Sequence, residues 1–302
     1  MPGNVHSLHL TPSIRFVVSN AQTMQNISCF CTQHENCTPF CIDTTYGIGN
    51  FFVTTTSYKN LKLLNTNNNE HPTFPQPVLF HVDQDTSVFS FFAQTMIACK
   101  DELRSILFIG SDRDKALINS VGKHLLFAKN LFCKKHIEDD VIRKFSTMPH
   151  LKRDARKTIL ADIFGSEARQ TKGLIDNETE KEFDNLCYLC YIKWDTLQKA
   201  SDCSKVPLFS NYFKTRIEQD MRNGMILCKR RAAGLFGDFF YNNTTESINF
   251  RLKNKIKEHK SLSETSGRPS KKCSLSEAIG IYKEFLDEYT RSANRAILGV
   301  GQ

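Results

Sequence analysis

No window of this 302-residue sequence reaches the run of roughly 18 apolar residues that a helical membrane span requires, so no spanning segment and no membrane partner are expected. The opening stretch, MPGNVHSLHLTPSIRF, has neither an apolar h-region nor a small-residue cleavage site, so it does not read as a secretory signal. There is no internal repeat, no Gly-rich loop to cradle nucleotide phosphates, and no Ser or Cys nucleophile flanked by suitable partners. Tryptophan occurs once, at Trp194. Cysteine, by contrast, is plentiful: eleven residues. In a chain of this size without a secretory address they read as reduced thiols or metal ligands rather than a disulfide framework.

Hydrophobic residues make up 40% and charged residues 24%, proportions of a globular chain able to bury a core. The net charge of +8 is unevenly spread. Between Asn249 and Lys272 eight basic residues face two acidic ones, a local +6 that holds most of the excess. Such a block is either a nucleic-acid contact or a solvated face.

Hydrophobic periodicity gives an ordered set of elements. Residues 1–37 read as an irregular lead, weakly patterned over 1–28. Strands are expected at Phe40–Asp43 and Phe51–Thr56 around a turn at Gly47–Gly49. An Asn-rich loop is expected over Leu63–Gln76, then a strand at Pro77–Val82. Helix is expected at Ser87–Lys100 and a buried strand at Arg104–Gly110. Helix follows at Lys115–Leu125, a brief strand at Leu126–Phe127, and helix at Cys133–Phe145. This order describes an α/β fold, a mixed sheet flanked by helices, over 38–148. Residues 149–237 read as helices alone: Arg153–Phe164, Glu178–Leu197 and Tyr212–Leu227. A helix within 238–260, a basic linker over 261–274 and an amphipathic helix over 275–302 complete the chain. The last places Ala278, Tyr282, Phe285, Leu286, Tyr289, Ala293 and Ile297 on one face.

Two aspartates stand where apolar strands are expected to end, Asp43 after PFCI and Asp112 after ILFIGS. Carboxylates held there by a sheet could converge on one divalent cation; equally, Asp112 could cap the helix near Lys115. Asp114 is a second candidate beside it. Glu246, in the first turn after Asn242-Asn243-Thr244-Thr245, suits a helix start.

Taken together, these segments resemble the catalytic domain of Mutator-like element transposases. IDTTYGIGNFF resembles their first motif, SDRDKALINSV the second, LFCKKH their C-x-x-H motif, and NNTTESINFRLK the T-x-x-x-E-S-x-N segment. The four fall in order across roughly residues 38–257. The resemblance implies a ribonuclease H-like fold interrupted by an all-helical insertion before the last catalytic helix. It implies an Asp43–Asp112–Glu246 triad holding two Mg²⁺ or Mn²⁺ ions for cleavage and strand transfer on double-stranded DNA, at transposon ends and target. Asp43 would bridge both ions, with Asp112 on one and Glu246 on the other. A homo-oligomer and a nuclear location, otherwise cytoplasmic, go with that reading. Glu178, Glu180 and Glu182 compete with Glu246 for the third place.

Arg251, Lys253, Lys255, Lys257 and Lys260 are the expected DNA contacts. Cys133 and His136 share a helical face, as a packed pair or, less favoured, as half of a zinc site that Cys187 and Cys190 could complete. Cys29, Cys31, His34 and Cys37 form a denser cluster whose spacing departs from finger patterns. Trp194 is expected in a core rather than stacked on a base. The upstream zinc module of such transposases is not recognisable here. The alternative expectation is therefore a truncated or domesticated transposase-derived DNA-binding or regulatory protein without catalysis.

Overall fold

The computed structural model describes residues 5–11, 13–35, 37–48, 51–66, 68–166, 170–200, 208–235, 238–265 and 275–297. The chain divides into two compact units, Met1–Ala128 with Asn242–Gln302, and Lys129–Tyr241. It is an α/β protein with a seven-stranded mixed sheet. Among the described residues no helix is long and apolar enough to cross a membrane.

The first unit holds β1 (Val5–His9), β2 (Arg15–Val18), β3 (Phe40–Ile48), β4 (Phe51–Lys59), β5 (Thr73–His81) and β6 (Phe108–Ser111). In space they run β1-β2-β5-β4-β3-β6. Pairing is antiparallel except between β3 and β6, which are parallel. Such a pair needs a crossover, here made by α2 (Thr86–Cys99) and a 3-10 turn at Asp101–Ser105. Asp85 starts α2 by accepting from the amides of Ser87 and Val88 at 2.7 and 3.1 Å. The helix then buries Val88, Phe89, Phe92, Ala93 and Met96. Together with α1 (Ala21–Cys31) and α3 (Lys115–His124) it covers one face of the sheet, over Phe40, Ile42 and Leu79.

Period-2 alternation sends the neighbouring side chains to the opposite face. There Phe16, Val18, Val53, Val78 and Phe80 pack under α10 (Asn243–Thr265) and α11 (Leu275–Ile297). Helix α10 contributes Ile248, Leu252 and Ile256, and α11 contributes Ala278, Ile281, Tyr282, Phe285 and Leu286. These are helical i, i+3, i+4 spacings, so each helix lays down one apolar stripe.

The second unit begins with β7 (Lys129–Phe132) and continues through α4 (Lys134–Ser146), α5 (Arg153–Phe164), α6 (Glu180–Lys199), α7 (Phe209–Arg216), α8 (Glu218–Gly224) and α9 (Leu227–Ala232). It thus opens ahead of the helical insertion expected from 149. Trp194 is buried in its core, edge-on to Phe209 and Phe213, with its indole N–H donating to Asp162 at 2.9 Å.

Several expectations change. The weakly patterned lead instead forms β1, β2 and α1, because Phe16, Val17, Met24 and Ile27 are buried against the sheet. The strand expected at Leu126–Phe127 is an exposed turn, 77% and 67% accessible, and β7 follows at Lys129. β5 begins at Thr73, inside the expected loop, and the stretch before β6 is partly 3-10. Tyr212–Leu227 is not one helix but falls across α7, α8 and α9, broken at Ile217 and Met225. Helix α10 continues through Thr265, five residues into the expected linker. The rest of that linker, with Gly49 of the expected turn, lies outside the described residues.

On the α2 face a buried polar chain crosses three strands. Thr44 meets Thr54 at 2.8 Å, Thr54 meets His81 Nε2 at 2.8 Å, and His81 Nδ1 lies 2.6 Å from the carbonyl of Asp83. The carbonyl must accept, so Nδ1 carries the proton and Nε2 accepts from Thr54. Burial holds the His81 pKa below its ordinary 6.5. The unfolded chain therefore takes up this proton first as pH falls through that value. The stability it contributes is present above the ordinary pKa and is lost below it. Urea midpoints should drop between about pH 6.5 and 5, and less steeply in His81→Asn; equal slopes in the two proteins would contradict the assignment. On the opposite face, Leu252→Ala (1% exposed) should cost about 2–5 kcal/mol in urea unfolding. Phe250→Ala (63% exposed) should stay within about 0.5 kcal/mol.

Candidate active site

β3 and β6 pair in parallel with Phe40 opposite Ile109, Cys41 opposite Gly110 and Ile42 opposite Ser111. The pairing ends there: Asp43 is the next residue of β3, and Asp112 is the first residue after β6. Asp43 is not at a strand end as expected but within β3, and it is only 8% exposed. Asp112 directly follows the last residue of β6, with the Ser111 hydroxyl donating to its carbonyl at 2.7 Å. Asp112 does not cap α3. Asp114 does, accepting from the amides of Ala116 and Leu117 at 2.8 and 3.1 Å. That leaves Asp114 a structural role and removes the capping explanation for Asp112.

Three side-chain contacts fix α10 over this edge. Asn249 donates through Nδ2 to Asp43 Oδ2 at 2.6 Å, and its own Oδ1 accepts from the Thr55 hydroxyl at 2.6 Å. One turn earlier, Thr245 meets Ser57 at 2.8 Å. All five residues are buried. The charge-assisted bond to a buried carboxylate is the stronger kind, worth about 1.5–3 kcal/mol. Both amide atoms of Asn249 are used, so the side chain has a single productive orientation.

Glu246 precedes Asn249 by three residues, about 4.5 Å along the helix axis, on the adjoining face. The three carboxylates do not gather into one group with ligand atoms within 4.8 Å of one another. Their rivals have other work. Glu180 pairs with Lys229 and Arg222, Glu178 with Arg231, and Glu182 closes the capping box at Thr179.

The basic stretch is only partly available. Arg251 bonds the Tyr289 hydroxyl at 2.8 Å and stacks on that ring, and Lys255 pairs with Glu288, so α11 holds both. Lys253 is half-buried and Lys257 is exposed; the side chain of Lys260 lies outside those described. In the second unit, Cys133 caps α4, and its thiol and a ring nitrogen of His136 lie within 4.8 Å of each other, two metal-ligand types on one helical turn. Cys187 and Cys190 are not gathered with them. Both thiols are pushed up by burial, Cys190 to about 11. Cys29, Cys31, His34 and Cys37 form no ligand group among the described residues. Cys31 is buried, and Cys37 donates to the carbonyls of Cys31 and Thr38.

Asn249, its partner Thr55, and Ser57, which meets Thr245, were given no role by sequence reasoning. The signal was there in two places: Asn249 stands inside the quoted E-S-x-N segment, and Thr54-Thr55-Thr56-Ser57 is a polar run within a strand too buried to leave it unpaired. Asn249→Ala should destabilise the protein by about 1.5–3 kcal/mol in urea unfolding, and by much less when Asp43 is already Ala. Additive losses in that double-mutant cycle would contradict the contact. No family model and no curated protein matches this chain.

Proposed function

We propose that the first unit is the catalytic core of a DNA transposase of the Mutator-like kind, acting by divalent-metal-dependent phosphodiester cleavage and strand transfer. The observation that carries this is the parallel pairing of β3 and β6, which ends one residue short of Asp43 and Asp112, together with the bond from Asn249 of α10 to Asp43. The strand order supports it. An antiparallel meander, β3-β4-β5, is extended on the β3 side by the parallel β6, giving β5-β4-β3-β6. That order, with a helix covering the first acidic strand, supports the ribonuclease H-like reading that the motifs imply.

The donor set consists of carboxylate oxygens, which suits a hard cation such as Mg²⁺ or Mn²⁺. Asp43, Asp112 and Glu246 are the residues that would hold two such ions. When bound, these ions activate water or a 3′-hydroxyl and stabilise the leaving oxygen. The chain's own contribution is positional. Asn249 holds one oxygen of Asp43, β3 fixes the backbone of Asp43 while Asp112 directly follows β6, and Thr245–Ser57 anchors the turn that carries Glu246. Lys253 and Lys257, on the same helix and not engaged by α11, are the cations best placed for a DNA backbone. A nuclear location follows only from this reading. The second reading, a transposase-derived DNA-binding protein without turnover, is favoured by one observation: the three carboxylates are not drawn into a single group.

Nicking of labelled duplex DNA with Mg²⁺ or Mn²⁺ separates the two. Wild type should cleave, and Asp43→Asn, Asp112→Asn and Glu246→Gln should each lose at least about 100-fold in rate while still folding and binding DNA, the loss of metal-borne charge stabilisation. Cleavage surviving Glu246→Gln would remove that residue from the triad. No cleavage by any form, with duplex binding intact, would establish the second reading.

A further inference from the structure

Helix α3 ends in a turn that the core holds at both ends. Leu125 caps the helix, its amide donating to the Val121 carbonyl at 2.9 Å, and its side chain is fully buried. Three residues on, the Ala128 amide donates back to the Leu125 carbonyl at 3.0 Å, and Ala128 packs on the same buried cluster. That bond closes a β-turn whose two central residues are Leu126 and Phe127. Such positions ordinarily carry Gly, Pro, Asn, Asp or Ser. Here they carry two large apolar side chains, 77% and 67% exposed, and neither backbone is in the left-handed region.

The sequence around this tip is cationic. From Lys115 to Ala128 it has Lys115, Lys123 and His124 and no carboxylate. Lys123 is exposed, and neither lysine makes an ion pair among the described residues. His124 shares a surface hollow with Asp101 and Arg104, which pair with each other at 2.7 Å. Glu102, beside them, pairs with Lys100 at 3.3 Å. Gly122 is exposed in the last turn of α3, and a Cβ there would meet nothing within 4 Å. Glycine weakens a helix relative to alanine, and no neighbour excludes a larger residue; bare backbone at that point lets a partner come close.

A paired apolar tip on a closed turn, beside an unpaired lysine, has the form of a wedge that enters a base step of DNA. A membrane surface is the poorer fit, because interfacial binding scales with apolar area and two residues supply little of it. We propose that Leu126 and Phe127 insert at a base step from the minor groove and bend the duplex. Lys123 meets the adjoining phosphate, and Gly122 leaves room for the strand. The inference rests on reading the first unit as a DNA-binding core, and not on its carboxylates. Helix α3, ten residues or about 15 Å long, separates the tip from Asp112.

The test uses the full chain carrying Asp112→Asn, so that bound DNA stays intact. The probe is a duplex of about 30 base pairs with donor and acceptor dyes at its ends. Binding should raise energy transfer. Leu126→Ser with Phe127→Ser should abolish that rise and weaken binding about tenfold, with log K against log salt unchanged because no charge is lost. Both side chains are exposed, so thermal unfolding of this variant should match that of its parent. Lys123→Ala should do the reverse, keeping the bend and making the salt slope about 0.9 less steep. Duplex bound without a bend, or a bend that survives the serine variant, would overturn the proposal. So would capture by phosphatidylserine vesicles that the serine variant loses, which would assign the tip to a membrane surface. A bend lost as predicted, while no form nicks DNA, would support the wedge and remove only the catalytic reading. Duplex binding by no form would remove both.

Discussion

One hydrogen bond organises the first unit: the Asn249 amide to the Asp43 carboxylate, 2.6 Å, inside the protein. Asp43 is placed in β3 where an apolar residue would pack as well, and a buried carboxylate with no donor is costly. Asn249 meets that cost and, through Thr55, ties the same amide to β4. The apolar stripe of Ile248, Leu252 and Ile256 supplies most of the adhesion of α10, but an apolar stripe can slide or rotate. The amide contact cannot, because its two bonds demand one register. Fixing that register also fixes the turn of α10 that carries Glu246.

Much of this was legible in the residues. The run ILFIG, the Phe- and Met-rich stretch before it, and the stripe from Ala278 to Leu286 each announced their element through periodicity. So did the all-helical character of the second unit: β7 aside, its described strand content is one isolated bridge, Ser166 with Thr171. The pairing of β3 with β6 was not legible, because pairing between strands this far apart in sequence is a tertiary fact. A strand end reads the same whether its neighbour is parallel, antiparallel or absent.

The errors have a common cause. Residues 5–31 carry short apolar groups, FVV and then Met24, Ile27 and Phe30, that look weak alone and become an edge hairpin and a covering helix only against the sheet. Leu126 and Phe127 look like a strand locally yet remain exposed in a turn, while the less apolar Lys129–Phe132 forms β7. Arg251 and Lys255 read as nucleic-acid contacts by charge, but the acceptors on α11 that hold them lie more than thirty residues downstream. In each case a distant partner overrode the local pattern.

Because Asp43 and Asp112 are the centre of the account, the most direct measurement is Mn²⁺ binding by electron paramagnetic resonance on the full chain without DNA. The account predicts saturable Mn²⁺ uptake that is lost in Asp43→Asn and in Asp112→Asn alike, with folding retained. Mn²⁺ uptake unaltered by either change, or absent from wild type with the fold intact, would contradict the claim that the paired strands form a metal-holding edge.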